Sequence, residues 1–139
     1  MSERMLRRDF IVLGVAAVSL GGCAGARYVV PRVGEGRLVV PLAEIEQEGE
    51  AFLRAPEMQR PVYVRRLESG ELSAVLASCT HQGCQPDPIG DRLVCPCHGS
   101  EFAFDGRVLQ GPAERPLPRY DVTIEGDDLV VWLERGTRP

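Results

Sequence analysis

The sequence is poor in the residues on which many metal and nucleic-acid sites depend. It has two histidines and five cysteines among 139 residues, and its 16 basic residues are all arginine. A site built from three histidines is therefore excluded. Twenty acidic residues leave a formal net charge of −4, without the basic stripe typical of nucleic-acid binding. No stretch reaches 18 uninterrupted apolar residues, and the length allows one domain with or without a targeting segment.

Residues 1–22 have the organisation of an export signal. Three arginines within residues 1–9 precede an apolar run at 10–20, and two small residues follow it. The sequence Arg-Arg-Asp-Phe at 7–10 resembles the twin-arginine export motif, whose pathway carries folded proteins. We therefore expect an exported bacterial protein.

Cys23 ends the tetrapeptide Leu-Gly-Gly-Cys, which resembles a bacterial lipobox. Cleavage there would leave an acylated cysteine, and each buried CH₂ of an acyl chain contributes about 0.8 kcal/mol to membrane binding. The alternative is a free cysteine within an uncleaved anchor helix. Both interpretations predict a protein tethered to the extracytoplasmic face of the membrane, either periplasmic or outer.

The rest of the chain is typical of a β-protein. A linker or first strand at 23–36 is followed by short runs rich in Val, Ile, Tyr and Trp, separated by Gly and Pro. These runs lie at 37–42, 61–67, 72–78, 92–94, 119–125 and 129–133. The pattern predicts an antiparallel sandwich or barrel. Asp105 and Gly106 predict a two-residue hairpin turn. Alternating glutamates from 44 to 50 predict a solvated face, or alternatively an acidic docking patch.

The scarce residues are concentrated in two six-residue segments. Cys-Thr-His-Gln-Gly-Cys occupies 79–84, and Cys-Pro-Cys-His-Gly-Ser occupies 95–100. Both histidines and every cysteine except Cys23 lie in them, which random placement would hardly produce. Two thiolates and two imidazoles are the ligand set of a Rieske [2Fe–2S] centre. Two further cysteines remain for a disulfide, a bond that persists outside the cytoplasm.

These segments resemble those of the high-potential, disulfide-bearing Rieske iron–sulfur family, over roughly residues 37–139. The resemblance implies an all-β fold, in which an antiparallel β-sandwich base domain carries an inserted cluster-binding subdomain at about 79–112. It also implies one [2Fe–2S] cluster as the cofactor. Its metal ligands would be Cys79 and Cys95 on one iron, and His81 and His98 on the other.

The same resemblance implies the surroundings of the cluster. Cys84 and Cys97 would form a disulfide between the two segments, and the Ser100 hydroxyl would donate a hydrogen bond to a bridging sulfide. The cluster-covering loop would consist of Gly111, Pro112 and Ala113. The implied function is one-electron transfer with no catalytic site beyond the cluster. The implied partners are cytochrome or oxidoreductase subunits, with quinol as a candidate.

Three features depart from the quinol-oxidising members of cytochrome bc and b₆f complexes. Phe102 stands where those members have a tyrosine, so a hydroxyl donor to a ligand sulfur is missing and we expect a lower potential. Polar Gln82 replaces the leucine usual at their docking tip. The segment between Cys84 and Cys95 is short, at ten residues.

We favour the iron–sulfur subunit of a quinol-oxidising respiratory complex of the quinol–cytochrome c reductase type. One alternative is the Rieske subunit of another exported oxidoreductase, such as an arsenite-oxidase-like enzyme, in which phenylalanine is frequent at the position of Phe102. Another is the ferredoxin component of an oxygenase, although those ferredoxins usually lack the extra cysteine pair. A structural Cys₂His₂ zinc domain would leave Cys84 and Cys97 without a role. A complete oxygenase is excluded because no histidine remains for a second iron.

Overall fold

Residues 26–134 are described by a computed structural model, and their regular structure is almost entirely short β-strands. Twelve strands and one short helix follow one another along this part of the chain. They are β1 (Tyr28–Val29), β2 (Arg32–Gly34), β3 (Arg37–Pro41), α1 (Leu42–Glu46), β4 (Glu50–Leu53), β5 (Val62–Arg66), β6 (Leu72–Leu76), β7 (Asp87–Ile89), β8 (Arg92–Val94), β9 (Glu101–Phe102), β10 (Val108–Gln110), β11 (Arg119–Glu125) and β12 (Asp128–Trp132).

The larger sheet has eight strands in the order β1-β4-β5-β6-β11-β12-β3-β2. Its neighbours pair antiparallel, except that β1 runs parallel to β4. In β3, Leu38 and Val40 are buried while Val39 between them is half-buried, as the two-residue period of a strand requires. These side chains join a core with members from β4, β5, β6 and β12.

The smaller sheet has four antiparallel strands in the order β10-β9-β8-β7. It lies within the segment expected to bind the cluster. A second core joins it to the larger sheet, because Phe52, Tyr63 and Val75 pack there with Leu93 and Phe102. The prediction of an all-β fold, with a β base domain and a smaller inserted subdomain, is confirmed.

Each of the six predicted β-rich runs contains a strand. The segment 23–36 supplies β1 and β2, which pair with β4 and β3. Strands β9 and β10 flank the hairpin turn predicted at Asp105 and Gly106. The sequence patterns missed α1, β4 and β7, which are three to five residues long. Such short elements show too few alternations for a periodic pattern to be recognised.

The predicted hairpin at Asp105 and Gly106 exists, but its turn is longer than expected. The connection between β9 and β10 covers residues 103–107 instead of two residues. The Gly106 N–H donates to the Ala103 carbonyl at 2.9 Å, and Gly106 has φ of +94°. A Cβ there would lie 3.0 Å from the Leu117 carbonyl oxygen. Packing against the neighbouring segment therefore determines the shape of this turn.

The alternating glutamates do not form the single solvated face that their spacing predicts. Glu44 is half-buried and pairs with Arg27, while Glu50 is half-buried and contacts both Arg65 and the Tyr63 hydroxyl. Helix α1 interrupts the two-residue period between the first and last of these glutamates. Glu44 and Glu50 thus form ion pairs within the domain.

Within residues 26–134, no helix is both long and apolar enough to cross a bilayer. The predicted export signal at 1–22 and the predicted acylation site at Cys23 lie outside the described residues.

Candidate iron–sulfur site

Two loops at one end of the molecule have the same backbone hydrogen bonds. The first loop covers residues 79–84, and the second, at 95–100, connects β8 to β9. The N–H of Cys79 donates to the Cys84 carbonyl at 2.7 Å, and the N–H of Cys95 donates to the Ser100 carbonyl at 2.8 Å. The first and sixth residues of both loops are therefore joined in the same way.

A glycine at the fifth position allows each loop to close. Gly83 donates its N–H to the Cys79 carbonyl at 2.7 Å, and Gly99 donates to the Cys95 carbonyl at 3.0 Å. Their φ angles are +78° and +77°. Glycine enters this region of φ without the steric cost that a Cβ would impose.

Cys79 and Cys95 are buried thiols that face each other, with exposed fractions of 3% and 1%. Burial raises the pKa of both. At Cys79, hydrogen bonds from the backbone N–H groups of His81 and Gln82, from the Cys95 thiol and from the Ser100 hydroxyl outweigh burial and lower the pKa. The pKa of Cys95 stays raised, chiefly by burial and also by the neighbouring Cys79 sulfur. Of the two thiols, Cys79 is thus the one that loses its proton more readily.

The N–H pattern around the first sulfur is repeated around the second. Backbone N–H groups of Cys97 and His98 point to the Cys95 sulfur. As in the first loop, these residues lie two and three positions after the cysteine. Each loop therefore provides a polar cradle for a thiolate in a buried place, where an isolated charge would be costly.

The two histidines lie at the surface. His81 and His98 are exposed, their ring centroids are 5.0 Å apart, and the ring planes meet at 83°. The fold thus brings the two predicted cysteine ligands together in the interior and the two predicted histidine ligands together at the surface.

A disulfide between Cys84 and Cys97 joins the two loops, with an S–S distance of 2.00 Å and a Cα–Cα distance of 6.4 Å. The Cys95 sulfur lies within 4.8 Å of both bonded sulfurs. Because Cys84 and Cys97 are bonded to each other, they are not free to bind a metal. Among residues 26–134 the unbonded thiols are those of Cys79 and Cys95, and the bonded pair is the one that the resemblance implies.

A third segment, residues 110–113, is hydrogen-bonded to the second loop. Ser100 is fully buried, and its Oγ accepts the N–H of Ala113 at 3.0 Å. The Gln110 side chain donates to the Gly99 carbonyl at 3.3 Å. These bonds tie residues 110–113, including the predicted covering loop with its cis Gly111–Pro112 bond, to the second ligand loop. Sequence patterns carry no signal for the Ala113 N–H, because every residue except proline has one.

The two positions that depart from quinol-oxidising relatives differ in their surroundings. Phe102 is fully buried in the same core as Cys79 and Cys95, so an aromatic ring without a hydroxyl stands beside the sulfurs. Gln82 is exposed next to His81 and places a polar group at the tip of the molecule.

The donors present fit a [2Fe–2S] cluster with mixed ligands. Two facing buried thiols, one with a lowered pKa, provide the thiolate side that iron requires, and the adjacent imidazoles provide a neutral side. No carboxylate belongs to either loop. Fold and site together define an all-β iron–sulfur protein.

Comparison with known proteins agrees with this class. The Rieske [2Fe-2S] domain matches residues 37–121, and the chain belongs to this family. Its cofactor is accordingly a [2Fe–2S] cluster.

Relatives with curated names are cytochrome b6-f complex iron-sulfur subunits. That of Prochlorococcus marinus strain AS9601 is 38% identical over 159 aligned positions, covering 96% of this chain and 89% of the relative. Subunit 2 of Nostoc sp. PCC 7120 is 34% identical, covering 71% of this chain and 60% of the relative. That of Chlorobaculum tepidum is 45% identical over 66 residues, covering 46% and 36%. The chain thus spans between about a third and three-fifths of several relatives that it matches.

Solved structures show the same fold. The plasma membrane Rieske protein of Synechocystis PCC 6803 is 41% identical with a TM-score of 0.58, covering 66% of this chain and 93% of that protein. A chain of a hyperthermophilic respiratory complex III is 25% identical with a TM-score of 0.53, covering 66% of this chain and 71% of that chain. A chain from the complex of carbazole 1,9a-dioxygenase with its ferredoxin, at 24% identity and a TM-score of 0.60, is similar in fold.

Proposed function

We propose that this protein is an extracytoplasmic one-electron carrier, the iron–sulfur subunit of a quinol-oxidising respiratory complex. The observation that carries the proposal is the pairing of four side chains in two loops, with two buried facing thiols and two exposed imidazoles 5.0 Å apart. The names of the relatives from Prochlorococcus and Nostoc support the same role.

In this proposal Cys79 and Cys95 would hold one iron of the cluster, and His81 and His98 would hold the other. When bound, the cluster would supply one-electron transfer. Each histidine has a second ring nitrogen, which would accept a proton from a docked quinol as the quinol is oxidised and then release it to solvent. Exposed imidazoles thus place the proton-carrying atoms where a substrate can reach them.

The remaining residues hold this arrangement and exclude water from the sulfurs. The Cys84–Cys97 disulfide fixes the two ligand loops to each other, and Ala113 covers the sulfur pair from the side. The Ser100 hydroxyl, already held by the Ala113 N–H, donates toward sulfur and stabilises added negative charge there.

The proposal also includes export of the protein and its attachment to the membrane. A twin-arginine signal at 1–22 would deliver the folded protein, and acylated Cys23 would tether it to the outer or periplasmic face. Changing Cys23 to serine should release the protein from the membrane fraction if acylation is the anchor. Retention of the variant in membranes would instead favour an uncleaved anchor helix.

An EPR-monitored redox titration of the purified full-length protein tests the function. A rhombic signal of the reduced protein would establish the mixed-ligand cluster, whereas a silent protein loaded with zinc would refute it. The class spans about −150 to +300 mV. A midpoint near the upper end would support quinol oxidation.

A second candidate is the Rieske subunit of another exported oxidoreductase, of the arsenite-oxidase type. Buried Phe102 and exposed Gln82 favour it, because both replace groups of the quinol-oxidising members. A midpoint well below the upper end of the range would support this candidate. Failure to oxidise a quinol analogue would support it further.

A further inference from the structure

A shallow cleft of about 650 Å³ lies beside the first ligand loop. One end reaches Thr80, the residue directly after Cys79, and Leu117 contributes an apolar floor. Three arginines line the rest of this cleft: Arg107, Arg115 and Arg119. The name arginine cleft is used for it below.

The arginine cleft is positive although the chain as a whole is negative. Asp105 is the single carboxylate among its lining residues, so three guanidinium groups and one carboxylate give a net charge of +2. Glu71 pairs with Arg119 from outside the lining and reduces this to +1. Among residues 26–134, no carboxylate lies within ion-pair distance of Arg115.

The pKa of Asp105 shows that Arg107 and Arg119 both influence a carboxyl group inside the cleft. Burial alone would raise the pKa of this carboxyl group. The hydrogen bonds from Arg107 and the charges of Arg107 and Arg119 together lower the pKa below its usual value. The arginine cleft therefore stabilises a carboxylate already present in it.

A short covalent and hydrogen-bonded connection joins this cleft to the sulfur pair. Thr80 is peptide-bonded to Cys79, and its hydroxyl donates to the backbone carbonyl of Arg115 at 2.5 Å. His81 and His98 do not line the cleft. The molecule thus offers two different faces close to the site, the exposed imidazoles and the arginine cleft.

We propose that the arginine cleft docks the carboxylate-bearing surface of a redox protein that exchanges electrons with this centre. This inference rests on the proposed function as an electron carrier. Opposite charges on two such surfaces accelerate their encounter, and salt weakens the effect.

The test uses one haem protein in two charge states, namely basic cytochrome c and the same cytochrome with its lysines succinylated. In the reaction one electron passes from the reduced Rieske protein to ferric haem, and no bond forms or breaks. At low ionic strength we expect Arg115→Gln to slow reduction of the succinylated cytochrome about threefold, because steering depends on charge. Arg32→Gln removes the same charge from exposed strand β2 and should leave the rate unchanged.

Binding provides a readout that does not depend on electron transfer. With both proteins oxidised, succinylated cytochrome should shift the amide resonances of Arg107 and Arg119, and the shifts should vanish at high salt. Arg107→Gln should weaken them as Arg115→Gln does.

Equal rates for Arg115→Gln and Arg32→Gln would overturn the inference, and so would amide shifts confined to the histidine tip. Both outcomes would leave the proposed function intact if the wild-type protein still reduces cytochrome. Transfer to neither cytochrome, from a protein with the rhombic EPR signal, would overturn both proposals.

Discussion

The two ligand loops differ in sequence far more than in backbone structure. In both, the first residue is a buried cysteine, the fifth is a glycine with positive φ, and the first N–H donates to the sixth carbonyl. The histidine is third in loop 79–84 but fourth in loop 95–100. The repeated backbone therefore places two equivalent thiols, while unequal side chains place the imidazoles and the disulfide.

The sixth residue of each loop shows how the unequal side chains close the site. Cys84 leaves the first loop to bond Cys97, whereas Ser100 stays buried and binds the Ala113 N–H. One loop thus uses its last residue to hold its partner, and the other uses it to hold the covering segment. Similar backbones become a single closed site through these two different bonds.

Removing any ligand should have the largest effect, because both loops contribute equally to the centre. We expect Cys79→Ala, Cys95→Ala, His81→Ala and His98→Ala each to abolish the cluster. The visible spectrum and the iron content of the purified protein measure this. Gln82→Ala, at an exposed neighbouring position, should retain the cluster. A normal spectrum in any of the four variants would contradict its assignment as a ligand.

Breaking the disulfide between the two loops should have the second-largest effect. Cys84→Ser removes a disulfide between residues 13 apart in sequence, and closure of a loop of about this size contributes roughly 3 kcal/mol in the chain-entropy description. We expect a lower melting temperature, followed by the loss of visible absorbance on heating. Cys97→Ser breaks the same bond and should behave alike. Unchanged melting of both variants would show that the remaining contacts suffice to hold the loops.

The equivalence of the two backbones can be tested at the glycines. Gly83→Ala and Gly99→Ala should each cost about 1–2 kcal/mol of unfolding free energy, because both residues have positive φ. Crowding adds nothing, since a Cβ meets no atom closer than 3.9 Å at either position. Gly34→Ala, where a Cβ also has open space, is the matched control. Urea unfolding should show similar losses for the two loops, and a loss in only one would refute the equivalence.

Ser100→Ala should lower the reduction potential, because the hydroxyl no longer stabilises the added negative charge. A hydrogen bond to a charged group contributes about 1.5–3 kcal/mol, and 59 mV corresponds to a tenfold change for one electron. Since a tenfold change is about 1.36 kcal/mol, complete loss of that contribution would lower the potential by about 65–130 mV in an EPR titration. Ser78→Ala, next to the other loop, should leave the potential nearly unchanged. An unchanged potential in Ser100→Ala would rule out its hydrogen bond to sulfur.

Phe102→Tyr should have the smallest effect, a rise in potential. It would add a hydroxyl donor on the strand that follows the second loop, in the core shared with both ligand cysteines. The same titration measures the change, and Phe104→Tyr, in the turn beyond that strand, serves as a control for added polarity. No rise in Phe102→Tyr would mean that the missing hydroxyl does not explain the expected low potential.

Sequence spacing was a good guide to elements that repeat a pattern and a poor guide to those that do not. Strands β3, β5, β6, β11 and β12 are at least five residues long, overlap the β-rich runs and were predicted. Helix α1 and strands β4 and β7, of three to five residues, are too short to show a recognisable pattern. The turn at Gly106 has five residues because it packs against Leu117, which local propensity does not encode.

By itself, the sequence determined the class of cofactor and the residues able to bind it, because cysteine and histidine are scarce here and their chemistry is specific. It also determined the β-fold, through the period of its apolar residues. Only the tertiary structure decided that the thiols are buried and the imidazoles exposed, and that the Ala113 N–H meets Ser100. It likewise brought three arginines to one cleft beside Thr80. Burial and contact depend on which distant segments pack together, and no local pattern of residues specifies that packing.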